Sequence, residues 1–386
     1  MTTPNSAIVA LIILAAWPIY GLSRAPSAQV TEGPSTSTKA PGTQNAELSL
    51  ERSPLEVLLP YVGPDGTEKN LPVGPLAYDQ KSTIRSIQEP AFQFRYNRPE
   101  SLTLLDDTMH RYLKNRERDP SGLDKLTLLY ARFDAFYFQD YQIRENAGFA
   151  SAPIEKWRSL RPQSRFPQVV RAMMLMNRAF AASTGRPGVG SSMANTDDPN
   201  ELLEQMVTEL DKLGPTPGDA QPDILRIRAR AMLGASDAEL LKLIDEASRR
   251  NPSTLELYGM GALSVMSTTD DPAGYLETIA RLAAERTPEE GKNAYYARTY
   301  WWVLTWIGIP NVRDFKVDWE RFADGSREIV DRYPVQWNIQ HLAAIACAGG
   351  AKDPARALIN GAKGRPISSA WGQITYFQRC RDWTRN

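Results

Sequence analysis

Apolar residues recur at helical spacing through most of the chain, from about residue 100 to the C-terminus. Two longer helices are predicted over residues 123–146 and 164–183. Three further stripes have apolar side chains three or four positions apart: Leu202, Met206, Leu210 and Leu213; Leu240, Leu243, Ile244 and Ala247; Leu276, Ile279, Ala280 and Ala283. This spacing places the apolar side chains on one face of a helix, so each stripe predicts a helix that buries one side.

Helix-start signals recur between these stripes. Asp-Pro pairs occur at residues 198–199, 271–272 and 353–354, where Asp can cap the first free N–H groups and Pro fits the first helical position. Three pairs have the spacing of a capping box: Asp198 with Glu201, Ser236 with Glu239, and Thr287 with Glu290.

The helix starts also have a period. Starts at Ser236 and Pro252 are followed by starts at Asp271 and Pro288, which are offsets of 35 and 36 residues. That is the period of stacked helix pairs of the tetratricopeptide kind. The predicted fold class is therefore all-α, with stacked antiparallel helix pairs in an α-solenoid that resembles tetratricopeptide repeats.

The N-terminal segment has a different character. Residues 1–23 carry no charged side chain, and residues 7–22 are almost purely apolar. This predicts a signal peptide or a membrane anchor, because the length lies between that of a signal core and that of a spanning helix. Residues 24–47 are expected to form a flexible linker, residues 48–98 an irregular lead-in rich in Pro and Gly, and residues 99–386 the helical domain.

Composition narrows the function classes. Forty-five Lys and Arg residues balance 45 Asp and Glu residues, so no net field attracts nucleic acid, and we expect no nucleic-acid partner. Two His and two Cys residues are too few for a zinc finger or an iron–sulfur cluster held by this chain alone. We expect no cofactor, no metal site and no catalytic residue set.

A family resemblance emerges from stretches that are rich in aromatic residues and span about residues 120–386. They are residues 126–142 (LTLLYARFDAFYFQDYQ), Trp157 with Pro162 and Ser164, residues 296–301 (YARTYW), 317–319 (VDW), 332–338 (RYPVQWN), 346–349 (ACAG) and 380–383 (CRDW). In order and spacing these resemble the bacterial family called domain of unknown function 4034. The chain departs from the pattern at Gly350-Ala351-Lys352, where an acidic residue is expected. The resemblance implies a helical, repeat-like fold in exported or membrane-associated bacterial proteins, and it implies no reaction.

The titratable residues give few catalytic candidates. His341 lies among apolar neighbours and is interpreted as a packed or surface histidine, and His110 as a solvated helix position. The basic run from Arg111 to Arg118 is interpreted as a solvated face. A hydrolase using carboxylates, such as Asp134 or Glu145 near Trp157, stays open, because a pair of acids leaves little trace in one sequence.

The densest aromatic cluster supplies the candidate binding surface. It comprises Tyr296, Tyr300, Trp301, Trp302 and Trp306. Aromatic residues around most of a helix indicate either an inner helix packed between its neighbours or an aromatic-lined groove for a peptide or glycan.

The two cysteines are expected to be neighbours. Cys347 lies near the end of a predicted helix, and Cys380 lies on a final helix that starts at Ser368 and carries Trp371, Ile374 and Phe377. The first and third helices of an up-down-up arrangement often pack side by side. If the body is exported, Cys347 and Cys380 are predicted to form a disulfide, and two separate buried thiols are the alternative.

The leading functional hypothesis is a non-enzymatic scaffold or adaptor that binds a protein partner at the bacterial cell envelope. A glycan- or peptide-binding protein and the carboxylate hydrolase are the alternatives. The N-terminal segment is the only expected contact with a membrane. The body is expected in the periplasm, anchored at the inner membrane or exported, although Arg24 and Lys39 after the apolar run leave a cytoplasmic body open.

Overall fold

The computed structural model describes residues 61–62, 68–69, 80–143, 148–183 and 198–386 of the chain. The predicted signal or anchor segment at 1–23 and the predicted linker at 24–47 lie outside these residues. Within the described part, no helix is both long and apolar enough to span a membrane.

Sixteen α-helices make up most of the described residues. The first eight are α1 (Gln80–Gln93), α2 (Pro99–Asn115), α3 (Lys125–Ile143), α4 (Gly148–Leu160), α5 (Phe166–Ser183), α6 (Pro199–Leu213), α7 (Gln221–Met232) and α8 (Asp237–Arg250). The other eight are α9 (Leu255–Met266), α10 (Pro272–Arg286), α11 (Ala294–Ile307), α12 (Trp319–Arg332), α13 (Gln336–Ala348), α14 (Lys352–Gly361), α15 (Ser368–Trp371) and α16 (Ile374–Arg385). Short 3₁₀ turns occur at Phe94–Tyr96, Pro288–Glu290 and Ile309–Asp314.

Alternate helices form two layers. The inner helices α3, α5, α7, α9, α11 and α13 contact one another in succession, while the outer helices α6, α8, α10 and α12 each pack on the two inner helices beside them. The inner helix α9 is buried at eleven of its twelve residues, whereas α12 buries one stripe that includes Phe322, Ile329 and Val330. The expected packing of helix pairs is therefore present, because a helix that is apolar all round needs neighbours on several sides.

Close packing within the inner layer depends on a small residue. Gly259 on α9 lies against the indole of Trp302 on α11, and a Cβ atom at this glycine would lie 2.1 Å from a ring carbon. Burial of the apolar stripes stabilises the packed layers. Leu240 and Ile244 on α8 are fully buried, and a buried Leu or Ile side chain contributes about 2 to 3 kcal/mol to the free energy of folding.

The predicted helix starts are correct in part. Ser236 and Glu239 form the expected capping box, and Asp198 and Asp271 accept hydrogen bonds from the first turns of α6 and α10. The box at Thr287 is wrong: its hydroxyl donates to Ala283 O, a 3₁₀ turn follows, and α11 begins at Ala294.

The start predicted at Asp353 is also displaced, because α14 begins at Lys352, after Ala351. The offset of 35 residues between the helix starts at Ser236 and Asp271 is confirmed. The next two helices, α9 and α11, begin at Leu255 and Ala294 and do not repeat this offset. The helix pairs consequently lack a uniform period.

The boundary of the lead-in needs correction. Helix α1 (Gln80–Gln93) lies inside the segment predicted to be irregular, and its interior residue Pro90 hides the helical pattern from sequence reasoning. Farther upstream, the two-residue strands β1 (Tyr61–Val62) and β2 (Glu68–Lys69) pair antiparallel. Strand β1 lies against α14, near the C-terminal end of the helical body.

The predicted final helix is divided in two. Gly372, with a φ of +66°, separates α15 from α16, because a positive φ ends a helix at little cost when the residue is glycine. Helix α16 contacts both α13 and α14, so the expected neighbourhood of the Cys347 helix and the final helix is present.

Candidate functional site at the ends of the inner helices

The loop between α2 and α3, residues 116–124, is the centre of a buried polar cluster. We call it the central loop. Asp119 fixes its turn by accepting hydrogen bonds from Ser121 N–H at 3.0 Å, from Ser121 Oγ at 2.8 Å and from Leu123 N–H at 2.8 Å. Gly122 has a φ of +86°, and a Cβ atom there would approach Arg298 and Tyr333 to 2.7 Å. Only glycine fits this turn without strain.

The central loop packs on the N-terminal ends of three inner helices. The carbonyl oxygen of Ser121 accepts one hydrogen bond from Arg298 Nη2 of α11 at 2.8 Å and another from Asn338 Nδ2 of α13 at 3.1 Å. Arg118 donates to Ser253 O, just before α9, at 3.3 Å and forms an ion pair with Glu290 at 2.7 Å. The loop therefore ties residues that are more than a hundred positions apart in sequence.

Several buried polar atoms around the loop have no hydrogen-bond partner among the described residues. Both carboxylate oxygens of Glu256, Nη1 of Arg298 and Oδ1 of Asn338 belong to this set. Burial, followed by the nearby charge of Asp124, raises the pKa of Glu256 to about 8. Glu256 is thus mostly a neutral acid at pH 7, which avoids part of the cost of burying a charge.

A second buried acid lies at the start of α7. Asp219 is 2% exposed, accepts a hydrogen bond from Tyr130 Oη at 3.1 Å, and has Arg165 Nε at 3.6 Å. Burial raises the pKa of Asp219 to about 6, although the Arg165 charge opposes this shift. Burial also raises the pKa of Asp124, directly before α3. Three carboxyls with raised pKa values therefore lie at the ends of the inner helices, and a raised pKa is one property of a general acid.

The predicted aromatic binding surface is in the interior. Tyr296 and Tyr300 are fully buried and donate to Glu277 Oε2 at 2.6 and 2.8 Å, while Trp301 and Trp302 are 5% and 6% exposed. Trp306 is partly buried, with its ring centroid 5.0 Å from that of Trp302. These side chains do not form an accessible groove, because α11 is an inner helix with neighbours on several sides.

The cysteines come together as the sequence predicts. Cys347 on α13 and Cys380 on α16 have Cα atoms 5.9 Å apart and are joined in a disulfide. Both are buried. The Cα distance is within the range of about 4.4 to 6.8 Å that a disulfide requires, so the bridge connects the last helix to the inner layer.

The histidines occupy two environments. His341 is buried between the rings of Trp301 and Trp337, and burial lowers its pKa to about 4, so it is a neutral packed residue at physiological pH. The His110 side chain is 52% exposed and lies 3.2 Å from Asp106.

The basic run from Arg111 to Arg118, which the sequence indicated to be a solvated face, is exposed at its start but not at its end. Arg111 is 56% exposed, whereas Arg118 is only 19% exposed and belongs to the central loop. Its interpretation as solvated is wrong for Arg118. The turn-forming residues Asp119, Pro120, Ser121 and Gly122 that follow are the signal that could have indicated the loop.

Of the two candidate acids of the hydrolase hypothesis, the structure describes Asp134 alone. Asp134 accepts a hydrogen bond from Asn177 Nδ2 at 3.1 Å and pairs with Arg228 at 3.6 Å. Trp157 is buried and donates to Asp106 at 2.9 Å. Glu145 lies outside the described residues. Asp134 is thus held by partners from α5 and α7.

A surface cleft of about 370 Å³ opens between the end of α6 and helices α7 and α8. Arg226 in its wall pairs with Asp211 at 3.0 Å and with Asp223 at 3.2 Å, and Arg250 pairs with the same Asp223 oxygen at 3.1 Å. Four of the five charged groups that line the cleft are therefore paired with one another. Across the described residues, no group of three or more His, Cys, Asp or Glu side chains is placed to hold a metal ion.

Comparison with known proteins gives no match: no family model, no curated protein and no solved structure matches the chain.

Proposed function

We propose that this protein is a non-enzymatic scaffold of the bacterial cell envelope, in which a helical-repeat body of the tetratricopeptide-like solenoid type binds a protein partner. The proposal includes membership of the domain of unknown function 4034 family and a signal or anchor at residues 1–23 that places the body outside the cytoplasm. The observation that carries it is the layer of outer helices, which present polar faces along the body.

The geometry supports a surface function for this layer. Helix α8 buries Leu240, Ile244 and Ala247 on one side and exposes Lys242 and Glu246 on the other. Helix α12 repeats this arrangement, with Asp324 and Arg327 at the surface. Stacked helix pairs create extended surfaces of this kind, which repeat proteins use for binding. The Cys347–Cys380 bridge supports an oxidising compartment, where disulfides persist.

The test is recovery of a partner at native abundance. The full chain, produced at its native level and carrying a photocrosslinking amino acid at Lys242 or Arg327, is irradiated in cells and purified from solubilised envelopes. We expect a discrete protein adduct at one position at least, and a stoichiometric partner that co-purifies without irradiation. The scaffold proposal is contradicted when both positions stay free of adducts and the chain purifies alone.

A carboxylate-dependent hydrolase is the second candidate, favoured by the raised pKa values of Glu256 and Asp219. It ranks lower because Glu256 is only 6% exposed, so a substrate reaches the carboxyl only if the surrounding chain moves. Its test is hydrolysis of peptidoglycan or peptide substrates that the Glu256→Gln variant fails to cleave.

A further inference from the structure

The C-terminal end of the body carries a concentration of positive charge. Residues 349–386 contain seven Lys and Arg residues but only two Asp and Glu residues. Because the whole chain has 45 residues of each sign, the remainder holds 38 basic and 43 acidic residues. A protein with no net charge is therefore electrostatically polarised, with its basic pole in α14 to α16.

Most of these cations are available to an external partner. The two acids of the segment are used locally, since Asp353 pairs with Arg356 at 3.3 Å and Asp382 with Arg381 at 3.7 Å. Five others have no ion-pair partner within 4 Å among the described residues: Lys352, Lys363, Arg365, Arg379 and Arg385. Arg365, Arg379 and Arg385 are exposed.

Helix α16 adds apolar groups to this charge. Ile374 is 50% exposed and Trp383 is 37% exposed, and they are two of the five large apolar side chains that are exposed in the described part of the chain. Arg379 and Trp383 are four residues apart and therefore share one side of the helix, while Ile374 and Arg385 are three turns apart and share another. Phe377, Cys380 and Thr384 face the protein.

We propose that this pole, formed by α14, α15 and α16, docks on the surface of a bilayer that contains anionic phospholipid. Cations beside an anionic membrane gain Coulomb energy, and each contributes about a fivefold increase in binding. Tryptophan is favoured at the level of the lipid headgroups, where its ring is partly apolar and its N–H stays hydrated. Helix α16 therefore presents Arg and Trp on one flank of its buried stripe and Ile and Arg on the other, which is a composition found in interfacial helices.

The path of the chain is consistent with this orientation. Strand β1, which follows the N-terminal segment in sequence, lies against α14 at the basic pole. This point rests on the proposed N-terminal anchor, whereas the charge and the exposed apolar groups of α16 do not. The anchor supplies the nearby bilayer, and the pole supplies a second contact that fixes which end of the body faces it.

The experiment compares the full chain in two kinds of nanodisc, one of phosphatidylcholine alone and one in which about a quarter of the lipid is phosphatidylglycerol. Amide hydrogen exchange is followed in peptides covering residues 363–386 and, for reference, in α8. We expect exchange in α16 to be several-fold slower in the anionic discs and unchanged in α8. About 0.5 M salt should abolish the difference by screening.

Matched variants identify the contact. Arg379→Glu with Arg385→Glu should return exchange in α16 to its rate in neutral discs, and Trp383→Ala should reduce the protection while leaving its salt dependence. The control is Lys212→Glu with Lys242→Glu, the same charge change at exposed positions of α6 and α8, which should have no effect. Circular dichroism verifies that all variants fold.

Equal exchange in the two discs overturns the proposal, as does an equal effect of the control variant. Protection that appears only on adding nucleic acid or an acidic protein also overturns it and identifies the other class of partner. Failure of the anchor is distinguishable, because the chain would then elute separately from neutral discs in size-exclusion chromatography.

Discussion

Glu256 lies in the first turn of α9, with both carboxylate oxygens buried and without a hydrogen-bond partner among the described residues. An unsatisfied buried group of this kind costs about 1 to 3 kcal/mol even when it is neutral. The Glu256 side chain is buried beside the central loop and near the Arg298 guanidinium. The site consequently couples the protonation of one carboxyl to the stability of the fold.

Replacement of Glu256 by Gln should change how stability depends on pH. The folded pKa is about 8 and the ordinary value is 4.5, so the contribution of Glu256 is fully present below pH 4.5 and is lost as the pH rises through 8. The loss is at most about 5 kcal/mol. Urea unfolding should therefore give similar free energies for both proteins at pH 5 and a more stable variant at pH 9.

Glu320→Gln, at an exposed position of α12, is the control for this measurement and should leave the pH dependence unchanged. The contribution of Asp219 to stability is also lost as the pH rises, because burial raises its pKa from 3.8 to about 6. This loss is the same in every protein compared, since all of them contain Asp219. Parallel curves for wild type and Glu256→Gln between pH 5 and pH 9 would mean that the carboxyl is solvated in solution.

At the scale of elements, the last helix depends on a covalent link. Helix α16 follows the break at Gly372 and packs on α13 and α14 through a short buried stripe. A terminal helix of this length frays unless it is fixed. The Cys347–Cys380 bridge closes a segment with a sequence separation of 33.

Removal of the bridge should destabilise the body. Cys347→Ala with Cys380→Ala should lower the free energy of unfolding by about 3 to 4 kcal/mol, because the unfolded chain regains the entropy of an open loop. Thermal unfolding with and without reductant measures this: wild type should lose stability on reduction, and the double variant should not respond. Wild-type unfolding that is insensitive to reductant would show that the thiols are unlinked.

At the scale of the whole molecule, the proposed anchor and the proposed docking of the basic pole both require a defined placement of the body relative to a membrane. The proposed anchor precedes the linker, and the helical body follows both. The cysteine bridge favours export, whereas Arg24 and Lys39 favour retention by the positive-inside rule. These opposing indications call for a direct measurement.

Alkaline phosphatase fused after Ala46 should be active, because that reporter forms its disulfides only after export to an oxidising compartment. A β-galactosidase fusion at the same position, which works only in the cytoplasm, should be inactive. The reverse pattern refutes the periplasmic placement and leaves the helical body on the cytoplasmic side.

Local chemistry was sufficient for much of the fold. The stripe on α8, the capping box of Ser236 and Glu239, and the caps at Asp198 and Asp271 are all legible in the sequence. They can be predicted because capping and amphipathic spacing involve residues no more than a few positions apart. The proximity of Cys347 and Cys380 also followed from the order of neighbouring helices.

Tertiary structure alone decided where the chain brings distant residues together. Ser121 meets Arg298 and Asn338 across 177 and 217 positions, and no local pattern encodes such a contact. Burial of Arg118 and Glu256 likewise depends on which helices flank them, and so did the choice between an inner helix and a groove for the aromatic residues of α11. An ionisable or aromatic side chain has the same sequence signature on a surface as in an interior, and only the packing of neighbouring helices removes its water and shifts its pKa.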